Sequence, residues 1–193
     1  MNNNYIIRME TPADYRLVEE MTKRAFWNVY VPGCDEHYLT HVMRDSVDFI
    51  PELNLVLEID GKIIASVKYL KSRLKDEDGN MKEIVSFGPL CVEPEYQRDG
   101  YGKVLLEYSF DVAKNLGYEV ITNFGDPANY VARGFKSCHK YNVCLEGDVY
   151  HSSLLVKELV PGVLDGRKWY FYESPVGELM SEEGFAEFDE TFP

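Results

Sequence analysis

The sequence lacks the features that define several large classes of protein. No apolar run approaches the roughly 18 residues needed to span a bilayer, and the start Met1-Asn2-Asn3-Asn4-Tyr5 has neither the basic residues nor the apolar stretch of a signal peptide. Positive charge is scarce, because 20 Lys and Arg stand against 33 Asp and Glu, a formal net charge of −13. Such a chain repels nucleic-acid phosphates. We therefore expect a cytoplasmic protein that binds neither membranes nor nucleic acid. A cationic partner fits this charge, although solubility alone also explains it.

Metal-binding and redox motifs are missing as well. The four cysteines form no C-x-x-C pair, and no histidine lies beside them at zinc-finger spacing. Cys91, Cys138 and Cys144 lie in apolar, strand-like runs, which is typical of buried free thiols. His37 and His41 share a helical face, but no carboxylate is evident as a third ligand. The sequence therefore predicts no metal site.

The hydrophobic periodicity predicts an alternation of strands and helices. In chain order we expect a strand at Asn4–Met9, a helix after Thr11-Pro12, a short helix around Tyr38–Met43, strands at Leu53–Ile59, Lys62–Leu70 and Glu83–Val92, a helix at Tyr101–Leu116, a strand at Val120–Phe124, a short helix at Asn129–Arg133, and strands near Ser137–Leu145 and Leu154–Leu159. This order predicts an α/β fold with a mixed sheet and one internal crossover.

We divide the chain into a domain over residues 1–160 and a C-terminal extension over 161–193. The extension carries the aromatic run Trp169-Tyr170-Phe171-Tyr172 and an acidic segment that starts with Ser181. Aromatic side chains dominate packing energetics, so we expect the extension to pack on the domain. A homodimer through these aromatic residues stays open.

The segment from Leu90 to Lys103 carries the chemistry. A strand ends, a short loop follows, and a helix starts at Gly100-Tyr101-Gly102. A helix N-terminus presents unpaired N–H groups and the positive end of a dipole, and glycines let a ligand approach the backbone. These features suit a pyrophosphate. The loop matches neither the Rossmann nor the P-loop pattern, and by itself it is equally compatible with a plain strand-to-helix turn.

Three motifs at consistent spacing resemble the GNAT acyltransferase superfamily. Gln97-x-x-Gly100-x-Gly102 is similar to its Q/R-x-x-G-x-G/A signature, and Leu90-Cys91-Val92-Glu93-Pro94 looks like the L-x-V-x-P end of its fourth strand. Tyr130-x-x-x-Gly134-Phe135 is similar to its Y-x-x-x-G-F ending, and the lead-in Gly125-Asp126-Pro127 resembles a branch of bacterial predicted acetyltransferases. The resemblance covers about Tyr5 to Leu159. It implies a mostly antiparallel sheet in which the parallel strands four and five splay apart, flanked by helices.

The resemblance implies that acetyl-CoA is the acyl donor and that no metal takes part. The loop N–H groups would hold the pyrophosphate, and a bulge at Gly88-Pro89 would open the gap for pantetheine. A free N–H near Leu90 and Val92 would bind the thioester oxyanion. The cofactor-binding residues that it implies run along the strand end, the loop and the short helix: Leu90, Cys91, Val92, Gln97, Arg98, Asp99, Gly100, Tyr101, Gly102, Lys103 and Asn129.

By the same resemblance, Tyr130 is the general acid that protonates the leaving thiolate, and a phenol near pKa 10 suits that role. The alternative is that Tyr130 only packs. The general base stays open. Ser86 takes the place where some members carry Glu, Glu83 falls on the opposite strand face, and strand five offers Thr122-Asn123. A water chain or Asp35-Glu36 would serve instead.

The resulting prediction is an N-acetyltransferase that moves an acetyl group to a primary amine by direct attack in a ternary complex. The acceptor is a small molecule or a peptide, and the acidic composition favours a cation such as a polyamine, an aminoglycoside or a peptide amine. Trp27, Tyr30 and Tyr38 would line its site. Two alternatives stay open: an acyl-CoA-binding sensor without transferase activity, and a structural domain that oligomerises.

Overall fold

The computed structural model describes residues 4–192. Two compact units make up this part of the chain. The first contains residues 4–68, 89–109 and 175–192, and the second contains residues 69–88 and 110–174. Each unit is described by itself below.

The elements follow the predicted alternation. The helices are α1 (Tyr15–Phe26), α2 (Glu36–Met43), α3 (Tyr101–Asn115), α4 (Pro127–Tyr130) and α5 (Glu182–Asp189). The strands are β1 (Tyr5–Met9), β2 (Leu55–Ile59), β3 (Lys62–Asp76), β4 (Met81–Val92), β5 (Val120–Phe124), β6 (Lys136–Ser137), β7 (Val143–Cys144), β8 (Leu154–Glu158) and β9 (Trp169–Tyr172). No helix among residues 4–192 is long and apolar enough to cross a membrane.

In the first unit, β1 pairs antiparallel with β2, and β2 pairs antiparallel with the start of β3. The hairpin between β2 and β3 turns at Asp60 and Gly61, with φ of 50° and 81°. Positive φ at both central residues is the two-residue turn that matches strand twist, as the Asp-Gly pair predicts. Val18 and Met21 of α1 pack against Val56 and Cys91, so the helix covers the apolar core of this unit.

The first unit also buries a network of charges. Lys68 Nζ forms an ion pair with Glu10 Oε1 at 2.6 Å, Arg44 Nη2 donates to the same oxygen at 2.9 Å, and all three side chains are buried. Arg44 also pairs with buried Glu19, whose Oε1 lies 3.0 Å from His41 Nδ1. Burial lowers the pKa of Lys68 to about 8, although Glu10 opposes that shift. Removal of a single partner would leave an uncompensated charge in the core.

In the second unit, β5 pairs antiparallel with β8, β8 with β6, and β9 with the end of β3. Two pairs are parallel: β4 with β5, and β7 with β9. The predicted fold class, an α/β fold with mostly antiparallel strands and a parallel fourth and fifth strand, is therefore confirmed. The core of this unit is built from apolar residues of these strands and of the segment before β9, among them Ile84, Val120, Leu154, Leu164 and Phe171.

One predicted strand is wrong. The segment 137–145 does not run as a single strand, because a 3-10 helix, Cys138–Tyr141, separates β6 from β7. The Ser137 hydroxyl accepts a hydrogen bond from the His139 N–H at 3.3 Å, and Asn142 closes the turn with φ 52°. A serine that bonds nearby backbone competes with strand pairing, so the local turn prevails over the apolar pattern.

Among the described residues 161–192, strand β9 and helix α5 are joined by a segment that contains a 3-10 helix, Pro175–Leu179. The aromatic run predicted to pack forms strand β9, and Trp169 and Phe171 belong to the core of the second unit. Ser181 caps α5 by accepting from the Gly184 N–H at 3.0 Å, which fits the predicted start of an acidic helix. The boundary at residue 160 stays a prediction.

Candidate active site

The loop between β4 and α3 is bent by two left-handed residues. Gln97 Nε2 donates to the Val92 carbonyl at 3.1 Å, which closes the loop on the strand end. Arg98 and Gly100 then take φ values of 67° and 89°. The Val104 N–H donates to the Gly100 carbonyl at 3.1 Å, so α3 begins here and the amides of its first turn point out of the helix. This arrangement is suited to an anion such as a pyrophosphate.

Gly102 packs closely against the end of β4. A Cβ added at Gly102 would lie 3.1 Å from Val92 Cγ2, so the helix start is packed tightly against the strand end. Arg98, Asp99 and Lys103 are exposed around this point. The loop therefore offers backbone amides next to two exposed cationic side chains, Arg98 and Lys103.

Two residues of the predicted cofactor set point away from solvent. Tyr101 is 4% exposed and packs edge-on against Tyr96, with ring centroids 6.0 Å apart, so only its backbone could meet a ligand. Cys91 is buried, and its Sγ lies 3.4 Å from Thr22 Oγ1 and 3.3 Å from Ser66 Oγ. Burial raises the pKa of the Cys91 thiol, which makes it a poor nucleophile.

Parallel pairing between β4 and β5 is short. It covers Val85 with Ile121 and Ser86 with Thr122, although both strands continue beyond these residues. Gly88, with φ 152°, follows in β4, and Pro89 after it has no N–H to donate. The pairing stops where the Gly-Pro step predicts an irregularity.

In the second unit, the ring of Tyr130 is held by neighbours that explain the motif around it. It packs edge-on against Phe87 at 5.5 Å and against Phe135 at 5.9 Å. A Cβ added at Gly125 would lie 2.5 Å from Tyr130 Cε2, so only glycine fits beside the ring. Gly134, with φ 88°, reverses the chain between Tyr130 and Phe135. The Tyr-x-x-x-Gly-Phe spacing therefore builds an aromatic corner that fixes the phenol.

The helix that carries Tyr130 is short but well capped. The Asp126 side chain accepts from the Ala128 N–H at 2.9 Å, and Pro127 occupies the first helical position. Asn129 lies one residue before Tyr130, with its N–H bonded to the Asp126 carbonyl at 3.0 Å and its side chain exposed. Its assignment to the cofactor stays a prediction.

No carboxylate takes the place of the missing base among the strand positions named from sequence. Ser86 Oγ lies 2.8 Å from Ser72 Oγ and 2.6 Å from Thr122 Oγ1, a cluster of hydroxyls. Glu83 is exposed and pairs with Lys71 at 3.4 Å. Asn123 is only 2% exposed, and its Oδ1 has no hydrogen-bond partner within residues 4–192.

The histidines of α2 are engaged with carboxylates. His37 Nε2 lies 2.9 Å from Asp189 Oδ1, and His41 Nδ1 lies 3.0 Å from Glu19 Oε1. The described residues, 4–192, contain no group of three or more His, Cys, Asp or Glu side chains that could hold a metal ion.

A cavity of about 340 Å³ lies in the first unit, along α1. It is lined by Glu20, Lys23, Arg24, Trp27 and Phe192. Trp27 was named from sequence as a lining residue, whereas Tyr38 is buried against Phe185 and Phe188, and Tyr30 is exposed. Sequence reasoning missed Phe192, and the only signal for it was the spacing of Phe185, Phe188 and Phe192 in the tail.

Comparison with known proteins supports the same class. The model of the acetyltransferase (GNAT) family matches residues 20–138, which is more than half of the chain, so this protein belongs to the GNAT family. The N-acetyltransferase YhbS of Escherichia coli strain K12 is 26% identical over 162 residues, 83% of this chain and 91% of that protein.

Solved structures show the same fold. Escherichia coli YhbS in complex with CoA aligns with a TM-score of 0.75 at 24% identity, over 88% of this chain and 90% of that one. A GNAT family acetyltransferase from Brucella melitensis in complex with acetyl-CoA aligns with a TM-score of 0.70 at 19% identity, over 91% and 99%. The predicted GNAT fold is thus confirmed.

Proposed function

We propose that this protein transfers an acetyl group from acetyl-CoA to a primary amine. The observation that carries the proposal is the loop at the head of α3, where Arg98 and Gly100 have left-handed backbone conformations and lead directly into the first turn of the helix. Such an anion site fits the pyrophosphate of coenzyme A. YhbS and the Brucella melitensis protein bind CoA and acetyl-CoA respectively, which supports the same donor here.

The reaction proceeds by direct attack. The amine lone pair adds to the thioester carbonyl carbon, the C–N bond forms, and the negative charge on oxygen is accepted by a backbone N–H near Leu90 and Val92. The C–S bond then breaks, and the Tyr130 phenol protonates the departing thiolate. The amine proton leaves to solvent, since Ser86 and Thr122 offer hydroxyls rather than a carboxylate.

The experiment measures coenzyme A release over a panel of amines, with Tyr130→Phe as the matched variant. Phenylalanine keeps the ring that packs on Phe87 and Phe135 and removes only the hydroxyl. We expect the variant to bind acetyl-CoA with unchanged affinity in calorimetry and to lose about 10²–10⁴ in kcat.

Three other results contradict the proposal in different ways. If acetyl-CoA binds but no amine is acetylated, the protein is an acyl-CoA-binding sensor. If acetyl-CoA does not bind, the donor site itself is wrong, and a structural domain becomes the better account. If Tyr130→Phe turns over as fast as the parent protein, Tyr130 is not the general acid, although the protein is still a transferase.

A further inference from the structure

The cavity along α1 has no assigned role in the chemical step described above. Its volume of about 340 Å³ falls within the usual range for small-molecule pockets, roughly 300–1,000 Å³. A closed apolar cavity of about 150 Å³ is enough for a benzene ring. This one therefore has room for a ring and a side chain.

The wall that Phe192 forms is fixed by several independent contacts. The Asp189 carboxylate accepts from Lys23 Nζ at 2.8 Å and lies 2.9 Å from buried His37 Nε2. Arg16 donates to Thr191 Oγ1 at 2.9 Å, and its guanidinium carbon lies 3.6 Å from the Phe192 ring centroid. Phe192 itself is buried. These contacts hold residues 189–192 in place beside α1.

The charges of the cavity are already compensated by partners. Glu20 pairs with Arg16 at 3.0 Å, and Lys23 pairs with Asp189. Arg24 holds Glu93 through two hydrogen bonds of 2.9 and 2.8 Å. A polyamine would find no uncompensated carboxylate among these lining groups, so charge alone does not select the occupant.

Two aromatic rings, those of Trp27 and Phe192, line the cavity as well. Lys23 Nζ lies 5.5 Å from the Trp27 ring centroid and 5.3 Å from that of Phe192, so two aromatic side chains border the same space. Aromatic side chains favour offset-stacked or edge-to-face contact with another ring. Trp27 is 51% exposed, which leaves much of its surface open to a ligand.

The cavity is also tied to the donor loop. Arg24, one of its lining residues, holds the carboxylate of Glu93, the residue that follows β4 and leads into the loop at Gln97. The same short segment therefore connects the cavity wall to the proposed pyrophosphate site.

We propose that this cavity binds the aromatic body of the acceptor, and that the acceptor class is an arylalkyl primary amine rather than a polyamine. This inference rests on the proposed transferase function and names its second substrate. It also refines the expectation drawn from net charge, since an arylalkylamine is a cation whose ring, rather than its charge, is recognised here.

Tryptophan fluorescence tests the proposal without relying on turnover. The chain has two tryptophans, and Trp169 is 4% exposed, so a ligand-induced change reports mainly on Trp27. We expect 2-phenylethylamine to give a saturable change that is absent in Trp27→Phe. Butane-1,4-diamine, which has no ring, is expected to bind at least about tenfold more weakly.

The matched variants are Phe192→Ala and Phe192→Leu. Alanine removes the ring that lines the cavity and is expected to weaken 2-phenylethylamine binding by about tenfold. Leucine keeps most of the side-chain volume and should weaken binding less. Acetyl-CoA affinity should stay within about twofold in both. Circular dichroism melts on the same samples detect unfolding, and the leucine variant keeps the test valid if the alanine variant unfolds.

The two proposals fail separately. Equal or tighter binding of the diamine, or unchanged ring binding in both Phe192 variants, overturns the cavity proposal while acetyl-CoA binding and coenzyme A release still support the transferase. Binding of 2-phenylethylamine by a protein that does not bind acetyl-CoA supports the cavity as an aromatic-amine site and overturns the transferase.

Discussion

Each of the two compact units buries one kind of group whose response to substitution can be compared. The first buries charges, with Lys68 Nζ 2.6 Å from Glu10. The second buries rings, with Phe87 and Phe135 against Tyr130. An ion pair in a core is sensitive to loss of one partner and to pH, whereas ring packing is sensitive to added volume. The same size of substitution should therefore act through charge in one unit and through shape in the other.

The largest effect is expected from removal of one buried charge. Glu10→Gln would leave Lys68 and Arg44 as neighbouring cations in the core, and we expect a loss of about 3–5 kcal/mol in the free energy of unfolding. Urea denaturation measures this. Glu58→Gln is the matched control, because Glu58 pairs with Arg8 at the partly exposed end of β2 and should cost about 1 kcal/mol or less. Equal losses in the two variants would show that burial of the Glu10 ion pairs does not set the cost.

The pH dependence of stability comes next. The pKa of Lys68 is about 8 in the folded protein. The ordinary value for lysine, 10.5, applies to the unfolded chain. Between these values the unfolded chain binds the proton that the folded chain has released, so the free energy of unfolding rises with pH. A shift of this size corresponds to about 3 kcal/mol.

Lys68→Met isolates that contribution, because all other titrating groups are shared with the parent protein. Denaturation of both proteins from pH 7 to 10.5 should show the parent gaining stability relative to the variant above pH 8. A difference that stays constant over this range would mean that Lys68 does not titrate there.

A volume change in the second unit should act on catalysis. Gly125→Ala places a methyl group 2.5 Å from Tyr130 Cε2 and 2.7 Å from Asn123 Nδ2. We expect a loss of about 1–3 kcal/mol in stability, together with a lower kcat as Tyr130 is displaced, and no change in acetyl-CoA affinity. Gly177→Ala is the control, because its methyl group would meet nothing within 4 Å. A fully active Gly125→Ala protein would show that the position of the phenol is not critical.

The smallest effect is expected at the donor loop. Gly102→Ala brings a methyl group 3.1 Å from Val92 Cγ2, while alanine favours the helix by about 1 kcal/mol. Stability should change little, and acetyl-CoA binding in calorimetry should weaken about threefold to tenfold, because the amides of the first turn shift with the helix. Unchanged affinity would place the donor elsewhere.

Local chemistry accounts for what could be predicted from sequence. The hairpin at Asp60-Gly61, the cap at Ser181 and the reversal at Gly134 each depend on one or two neighbouring residues, so the pattern was sufficient. The loop at Gln97–Gly102 was predicted in the same way. The segment 137–145 failed because a hydroxyl and a left-handed asparagine interrupted an apolar run.

Features built from distant residues could not be predicted. The pairing of Glu10 with Lys68 joins the end of β1 to the middle of β3, and nothing near either residue in the sequence indicates it. The contact of Phe192 with Arg16 depends on a tail that returns to the first helix. Of the five residues that line the cavity, the sequence analysis names Trp27 alone, as a residue expected to line the acceptor site.

The position of the tail has a consequence for how the protein is handled and turned over. Because Asp189 and Phe192 complete a wall on α1, a protease that cuts after Met180, or a fusion partner joined to the last residues, would alter that wall and leave the donor loop untouched. On the proposed function, such a clipped or tagged protein would still bind to a resin that carries coenzyme A. If the cavity holds the acceptor as proposed, such a protein would differ in which amines it accepts, so acceptor screens should use a protein with an untagged C-terminus.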